Sequence, residues 1–205
     1  MRLTPSTIVL FSSLVTGCAS APAPAGHGPT TARPAGPISF FVRAEHGELL
    51  LGTLAPDGTL VRNPALPAGN GEADAAMVSS VRLAADGRPV PHAVSAEEGG
   101  VTWSLGDDGS LRCAIAAPAE MEMPPMVFRR GFDVLADGRA VQPALGVSYT
   151  VRDDGSVVQR FRDGREEVEP RWRVQGASGT DRRRTMVALV ILDDFFDAGG
   201  GMLGP

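Results

Sequence analysis

Two pairs of adjacent aspartates are the residues whose type and spacing come closest to an acid and base pair. Asp107 is followed by Asp108, and Asp153 by Asp154. Paired carboxylates can share proton transfer in a hydrolytic site, but adjacent residues of a strand point to opposite faces. Glycine follows each pair, so we expect these aspartates to form exposed turns through their side chains and not an active site.

Metal ligands and nucleophiles are equally sparse. Asp193, Asp194 and Asp197 could supply oxygen ligands, but no segment has the spacing of a calcium loop. No histidine or cysteine pair has the spacing of a zinc site. The sequence contains neither GxSxG nor HExxH. We therefore predict no catalytic residues, no metal and no cofactor.

A repeated sequence organises the rest of the chain. GVTWSLGDDGSLR (100–112) recurs 46 positions later as GVSYTVRDDGSVV, and a weaker copy, LLLGTLAPDGTLV, lies 51 positions earlier. Apolar residues alternate with polar ones before an Asp-Gly pair, which predicts a strand that enters a hairpin turn. Gly52, Trp103 and Tyr149 occupy equivalent positions of the three copies.

Asp-Gly pairs recur six times, at 57–58, 86–87, 108–109, 137–138, 154–155 and 163–164. The first two pairs are 29 residues apart, as are the third and fourth, so two units of two hairpins precede a shortened third. We predict an all-β antiparallel domain over residues 38–193, a sandwich or barrel built from duplicated hairpin pairs. A small propeller-like repeat is the alternative.

The turn type predicts the register of each hairpin. Three-residue loops pair Leu54 with Leu60, Leu105 with Leu111 and Trp103 with Cys113, which makes Cys113 a buried, inert thiol. At the two Ala-Asp-Gly-Arg turns, two-residue loops would pair Leu83 with Val90 and Val134 with Val141. The apolar run Thr185 to Leu192 predicts a strand covered on both faces, and residues 194–205 a loose tail.

The aromatic residues Trp103, Tyr149 and Trp172 could line a ligand cavity, although equivalent positions of repeated strands more often form a core. We expect Trp103 and Tyr149 to be buried. Thr102 and Ser148, one residue earlier, belong to the opposite face, which we expect to contact water.

The charge of the chain argues against a general nucleic-acid binder. The formal net charge is −5, and the 19 basic residues, all arginine, are dispersed along the sequence. Binding to phosphates would require a basic stripe.

The N-terminus carries Arg2 and then an apolar stretch from Ile8 to Val15, which is the layout of a secretory signal peptide over residues 1–17. Val15-Thr16-Gly17-Cys18 resembles the lipobox of bacterial lipoproteins. The resemblance covers residues 1–18 only and implies that Cys18 carries fatty acyl chains such as palmitate. Residues 18–37 then form a tether rich in proline and alanine.

Residue 19 follows the lipidated cysteine, and the resemblance implies that Ala19 in this position favours transfer to the outer membrane of a Gram-negative cell. We therefore expect a lipid-anchored envelope protein whose non-catalytic β domain binds a protein partner or supports the cell surface. The alternative is a periplasmic small-ligand carrier or enzyme that uses a β-barrel cavity.

Overall fold

The computed structural model describes residues 36–66, 81–90, 101–117 and 123–193, together with the backbone of 202–203. The β strands in these ranges are β1 (Ile38–Ala44), β2 (Gly47–Leu54), β3 (Leu60–Arg62), β4 (Arg82–Leu83), β5 (Pro89–Val90), β6 (Val101–Leu105), β7 (Ser110–Ile115), β8 (Met126–Val134), β9 (Ala140–Gln142), β10 (Val147–Val151), β11 (Ser156–Arg160), β12 (Glu166–Gln175) and β13 (Met202–Leu203). A short 3-10 turn, Gly179–Asp181, leads into helix α1 (Arg182–Leu192).

The strands form one antiparallel sheet of hairpin neighbours. Its order is β3-β2-β1-β12-β11-β10-β9-β8-β7-β6, with β13 added to β8. Strands β4 and β5 form a separate hairpin, and a bridge joins Arg82 of β4 to Thr59, the residue before β3. The predicted all-β antiparallel architecture of hairpins is thereby confirmed. The sheet is not closed into a barrel.

Helix α1 packs against β2, β8, β9 and β10. The second and eighth positions of the strand order are occupied by β2 and β8. Since neighbouring strands lie about 4.8 Å apart, a flat sheet would separate these two by roughly 29 Å. A helix with its side chains is only about 10–12 Å wide, so the sheet must bend around it.

The strand predicted for Thr185–Leu192 is wrong, because these residues belong to helix α1. All eight are buried, with at most 2% of their surface exposed. An apolar run without periodicity fits a fully buried helix as well as a buried strand. Inside the bent sheet a helix is more stable than a strand for this segment. Its backbone hydrogen bonds are made within the segment and need no neighbouring strand.

The six Asp-Gly turns share one geometry. In each, the glycine N–H donates to the carbonyl three residues earlier at 2.9–3.0 Å, and the glycine has φ between +82° and +97°. The aspartate Oδ1 accepts the N–H of the residue two positions later at 2.9–3.1 Å. These are type I turns closed by a left-handed glycine, held by the aspartate side chain as expected.

The hairpin register follows from this turn. Leu54 pairs with Leu60, Leu105 with Leu111 and Trp103 with Cys113, as predicted. The register predicted for the two Ala-Asp-Gly-Arg hairpins is wrong by one residue, because Leu83 pairs with Pro89 and Val134 with Ala140. They use the same three-residue loop as the other turns, since the left-handed glycine occupies the same position.

One backbone contact recurs in all three units. The carbonyl oxygens of Gly58, Gly109 and Gly155 accept the N–H groups of Leu83, Val134 and Val174 at 2.7–2.9 Å. The third unit therefore keeps the contact although a shorter segment separates the two bonded residues. Where the first two units continue into an Ala-Asp-Gly-Arg turn, the third leads into helix α1.

The C-terminal segment expected to be a loose tail lies mostly outside the described residues. The exception is β13, in which Met202 and Leu203 pair with Phe128 and Val127 of β8. This part of the tail is therefore a strand.

Candidate functional site

The helix C-terminus brings together the aromatic residues that the sequence singled out. Tyr149 lies on β10 and Trp172 on β12, and their rings pack edge to face with centroids 5.5 Å apart. Phe132 of β8 packs in the same manner on Tyr149 at 5.7 Å. Trp103, Tyr149 and Trp172 are all buried, as expected for Trp103 and Tyr149. We call these four side chains the aromatic cluster.

An irregular stretch of β12 positions Trp172. Val157 of β11 pairs with Glu169, but its neighbour Ser156 pairs with Arg173. The three residues of β12 between these two pairs therefore lie opposite a single peptide bond of β11. Pro170 lies within this bulge, where the missing N–H of proline is tolerated. Bulges redirect the side chains that follow them, and here the indole of Trp172 is directed toward the helix C-terminus.

Asp193 caps helix α1 and joins it to the cluster. Its N–H donates to the carbonyl of Leu189, and its Oδ2 accepts the indole N–H of Trp172 at 2.5 Å. Arg171 places a guanidinium nitrogen 3.7 Å from the other carboxylate oxygen. The carboxylate is buried but lies between a hydrogen-bond donor and a cation, which offsets the cost of removing it from water.

A second arginine, Arg130, binds the C-terminal end of helix α1. Arg130 donates to the carbonyl of Ile191 at 3.0 Å, and its guanidinium carbon lies 5.3 Å from the centre of the Trp103 ring. The last carbonyls of a helix lack partners within it and carry partial negative charge, so a cation stabilises them. Arg130 thereby connects β8, the helix and the aromatic cluster.

Tyr149 is the titratable residue of the aromatic cluster, and burial controls its pKa. Burial raises the pKa of the Tyr149 phenol above its ordinary value, and the negative charge of Glu169 acts in the same direction. Tyr149 is therefore neutral at physiological pH and can donate a proton only as a hydrogen-bond donor. This is the behaviour of a packed core tyrosine.

The other candidate residues have structural partners. Asp108 and Asp154 hold their turns. Asp107 forms an ion pair with Arg88 at 2.8 Å, and Asp153 one with Arg182 at 3.0 Å. Cys113 is buried opposite Trp103 and forms no disulfide. Within the described ranges, no group of three or more histidine, cysteine, aspartate or glutamate residues could hold a metal ion.

Sequence reasoning missed Asp193, Arg130 and Phe132 as partners of the aromatic residues. A signal for Phe132 was present, since it aligns with Val81 when the two Ala-Asp-Gly-Arg segments are superposed. The roles of Asp193 and Arg130 depend on the helix terminus and could not be foreseen while that segment was interpreted as a strand. Cys18, Asp194 and Asp197 lie outside the described residues.

Comparisons with protein-family models, with curated proteins and with solved structures yield no match. Among the residues that the structure describes, no helix is long and apolar enough to cross a membrane.

Proposed function

We propose that this chain is a lipid-anchored protein of the bacterial cell envelope, attached through Cys18 to the outer membrane. Its β domain is a non-catalytic module that binds a protein partner or supports the cell surface. The anchor rests on the signal-peptide layout and the sequence Val15-Thr16-Gly17-Cys18.

The proposal of a non-catalytic role is supported by the position of helix α1, which lies inside the bent sheet. A small-ligand carrier or an enzyme with a barrel cavity needs an interior lined by a few convergent polar groups. In the described part of the domain, eight successive buried residues of α1 occupy that position. The polar groups at its end, Asp193 and Arg130, are used to fix the helix.

Metabolic labelling with a fatty-acid analogue tests the anchor. The wild-type chain should incorporate label and Cys18→Ser should not, whereas a Cys113→Ser control should be labelled like the wild type. Equal labelling of the wild type and Cys18→Ser would refute the assignment. Membrane fractionation tests the destination: Ala19→Asp should move labelled protein from the outer to the inner membrane, and an unchanged distribution would contradict outer-membrane sorting through this position.

Native mass spectrometry of the purified domain, beginning at residue 19, tests the absence of a carried ligand. The expected mass is that of the polypeptide alone. A stoichiometric additional mass that denaturation removes would overturn this proposal and favour a small-ligand carrier.

A further inference from the structure

Two methionine side chains are exposed at the start of β8. The exposed fraction is 56% for Met123 and 49% for Met126. Pro124 and Pro125, which separate them, are exposed as well. Methionine is an apolar residue that usually fills space in a core, as Met186 of helix α1 does with 0% of its surface exposed. The thioethers of Met123 and Met126 are therefore open to reagents in water, whereas that of Met186 is not.

The backbone keeps this segment in place independently of the two thioethers. Met126 pairs with Ile115 of β7, which fixes the start of β8. Such pairing uses backbone N–H and carbonyl groups and not the side chains. Pro124 and Pro125 have a fixed φ and no N–H, so the segment before β8 is stiff. A chemical change at either sulfur therefore leaves the interactions that hold the segment intact.

An exposed thioether reacts with a peroxide in a two-electron step. The sulfur lone pair attacks one peroxide oxygen, and an S–O bond forms as the O–O bond breaks. The second oxygen takes the proton of the transferred oxygen and leaves as water when the oxidant is hydrogen peroxide. The thioether is oxidised to a sulfoxide, and the apolar side chain becomes polar.

We propose that Met123 and Met126 form a reversible oxidation site for peroxides, at which the fold tolerates the sulfoxide. In water the polar sulfoxide is solvated, whereas at Met186 it would be buried among apolar side chains, which is costly. Reversal requires a methionine sulfoxide reductase, with two thiols as the reductant. The thiols become a disulfide, and the sulfoxide oxygen is released as water. The exposure of residues 123–126 gives such an enzyme access to both sulfoxides.

Peptide mapping of the full chain after treatment with hydrogen peroxide tests the site. Tandem mass spectrometry assigns each sulfoxide to its methionine. Met123 and Met126 should be oxidised at least about tenfold faster than Met186 in the folded chain. In urea that unfolds the chain, Met186 should react as fast as the other two. Equal rates at the three methionines of the folded chain would refute the proposal.

Urea denaturation of the treated chain tests whether the fold tolerates the sulfoxides. Oxidation at Met123 and Met126 should shift the urea midpoint by less than about 0.2 M. The matched control carries both Met123→Leu and Met126→Leu, which nearly conserve volume. Any shift that peroxide causes in this variant arises at other positions. A shift in the wild type that exceeds the control by more than about 0.2 M would overturn the proposed tolerance.

Reduction of the oxidised chain tests reversibility. Sulfoxide reductases specific for the two epimers, supplied together with dithiothreitol, should return both methionines to thioethers without unfolding the chain. The same peptide map measures the result. Sulfoxides at Met123 and Met126 that persist in the folded chain, but are reduced once it is unfolded in urea and digested, would refute a reversible site.

Discussion

The indole N–H of Trp172 donates to the carboxylate of Asp193 across 21 residues of sequence, and both side chains are buried. This contact fixes the last turn of helix α1 to the bulge of β12. It joins the one helix of the described domain to the strand that closes the third repeat, so its loss should loosen both.

Substitution of Asp193 tests the contribution of this contact. Asp193→Ala removes a buried acceptor of Trp172 and should lower the free energy of unfolding by roughly 1–3 kcal/mol. Asp193→Asn keeps an oxygen acceptor of similar size and should cost less. A matched exposed variant, Asp153→Ala, breaks a surface ion pair and should cost no more than about 1 kcal/mol. Equal losses for Asp193→Ala and Asp153→Ala in urea denaturation would show that the buried contact contributes nothing specific.

The two aromatic residues at equivalent repeat positions provide a second prediction. Trp103→Ala and Tyr149→Ala each remove a buried ring and should cost roughly 3–5 kcal/mol. Thr102 is exposed, and Thr102→Ala should change stability by no more than about 0.5 kcal/mol. Ser148 was expected to contact water, but only 8% of its surface is exposed. It therefore does not serve as a second exposed control. Small losses at both aromatic positions in denaturation curves would refute their role in the core.

The first copy of the repeat differs from the other two at the aromatic position. Gly52 occupies the site of Trp103 and Tyr149, and a Cβ there would lie 2.9 Å from a methyl carbon of Leu192 and 2.4 Å from the carbonyl oxygen of Val61. The backbone of the neighbouring strand β3, together with the end of helix α1, thus occupies the space next to Gly52. A sequence alignment shows the glycine but not its cause, because the cause is a pair of contacts made 9 and 140 residues later in the chain.

Local chemistry made the hairpins predictable. The Asp-Gly pairs and the alternation around Trp103 define turns and registers within about ten residues, and these predictions hold wherever the same loop was assumed. The register at Leu83 and Val134 failed because a shorter loop was assumed for an identical glycine position. The apolar run Thr185–Leu192 has no period, so only its enclosure by distant strands distinguishes helix from strand.

Glycine substitutions test the contact between units. At Gly155, a Cβ would lie 1.8 Å from the carbonyl oxygen of Val174, whereas at Gly164 nothing lies within 4 Å. Both glycines have φ near +80°, so alanine at either position should cost roughly 1–2 kcal/mol for the left-handed conformation. Gly155→Ala should cost roughly 1–3 kcal/mol more, because the Val174 backbone must move. Similar unfolding free energies for the two variants would mean that the repeated carbonyl contact adds no stability.

Acid should weaken the domain through its turn aspartates. Hydrogen bonds from the hydroxyl and the N–H of Ser110 hold the pKa of Asp108 below its ordinary value, and Ser156 does the same for Asp154. For Asp57, the bonds come from the N–H and the hydroxyl of Thr59. A carboxyl whose pKa is lower in the folded chain binds fewer protons there than in the unfolded chain. Its stabilising effect is therefore complete above the unfolded pKa of about 3.9 and is lost as the pH falls through the lower, folded value.

The measurement is the free energy of unfolding in urea between pH 7 and pH 2. The free energy of unfolding should change little with pH at the upper end of this range. Below about pH 4 it should fall steeply as the pH is lowered. Asp108→Asn keeps an oxygen that accepts the Ser110 N–H but cannot titrate, so its stability should fall less steeply in acid than that of the wild type. Asp107→Asn, one residue earlier, removes an exposed carboxylate that does not hold the turn and serves as the matched control. If Asp107→Asn flattened the acid slope as much as Asp108→Asn, the turn hydrogen bonds would not be the source of the pH dependence.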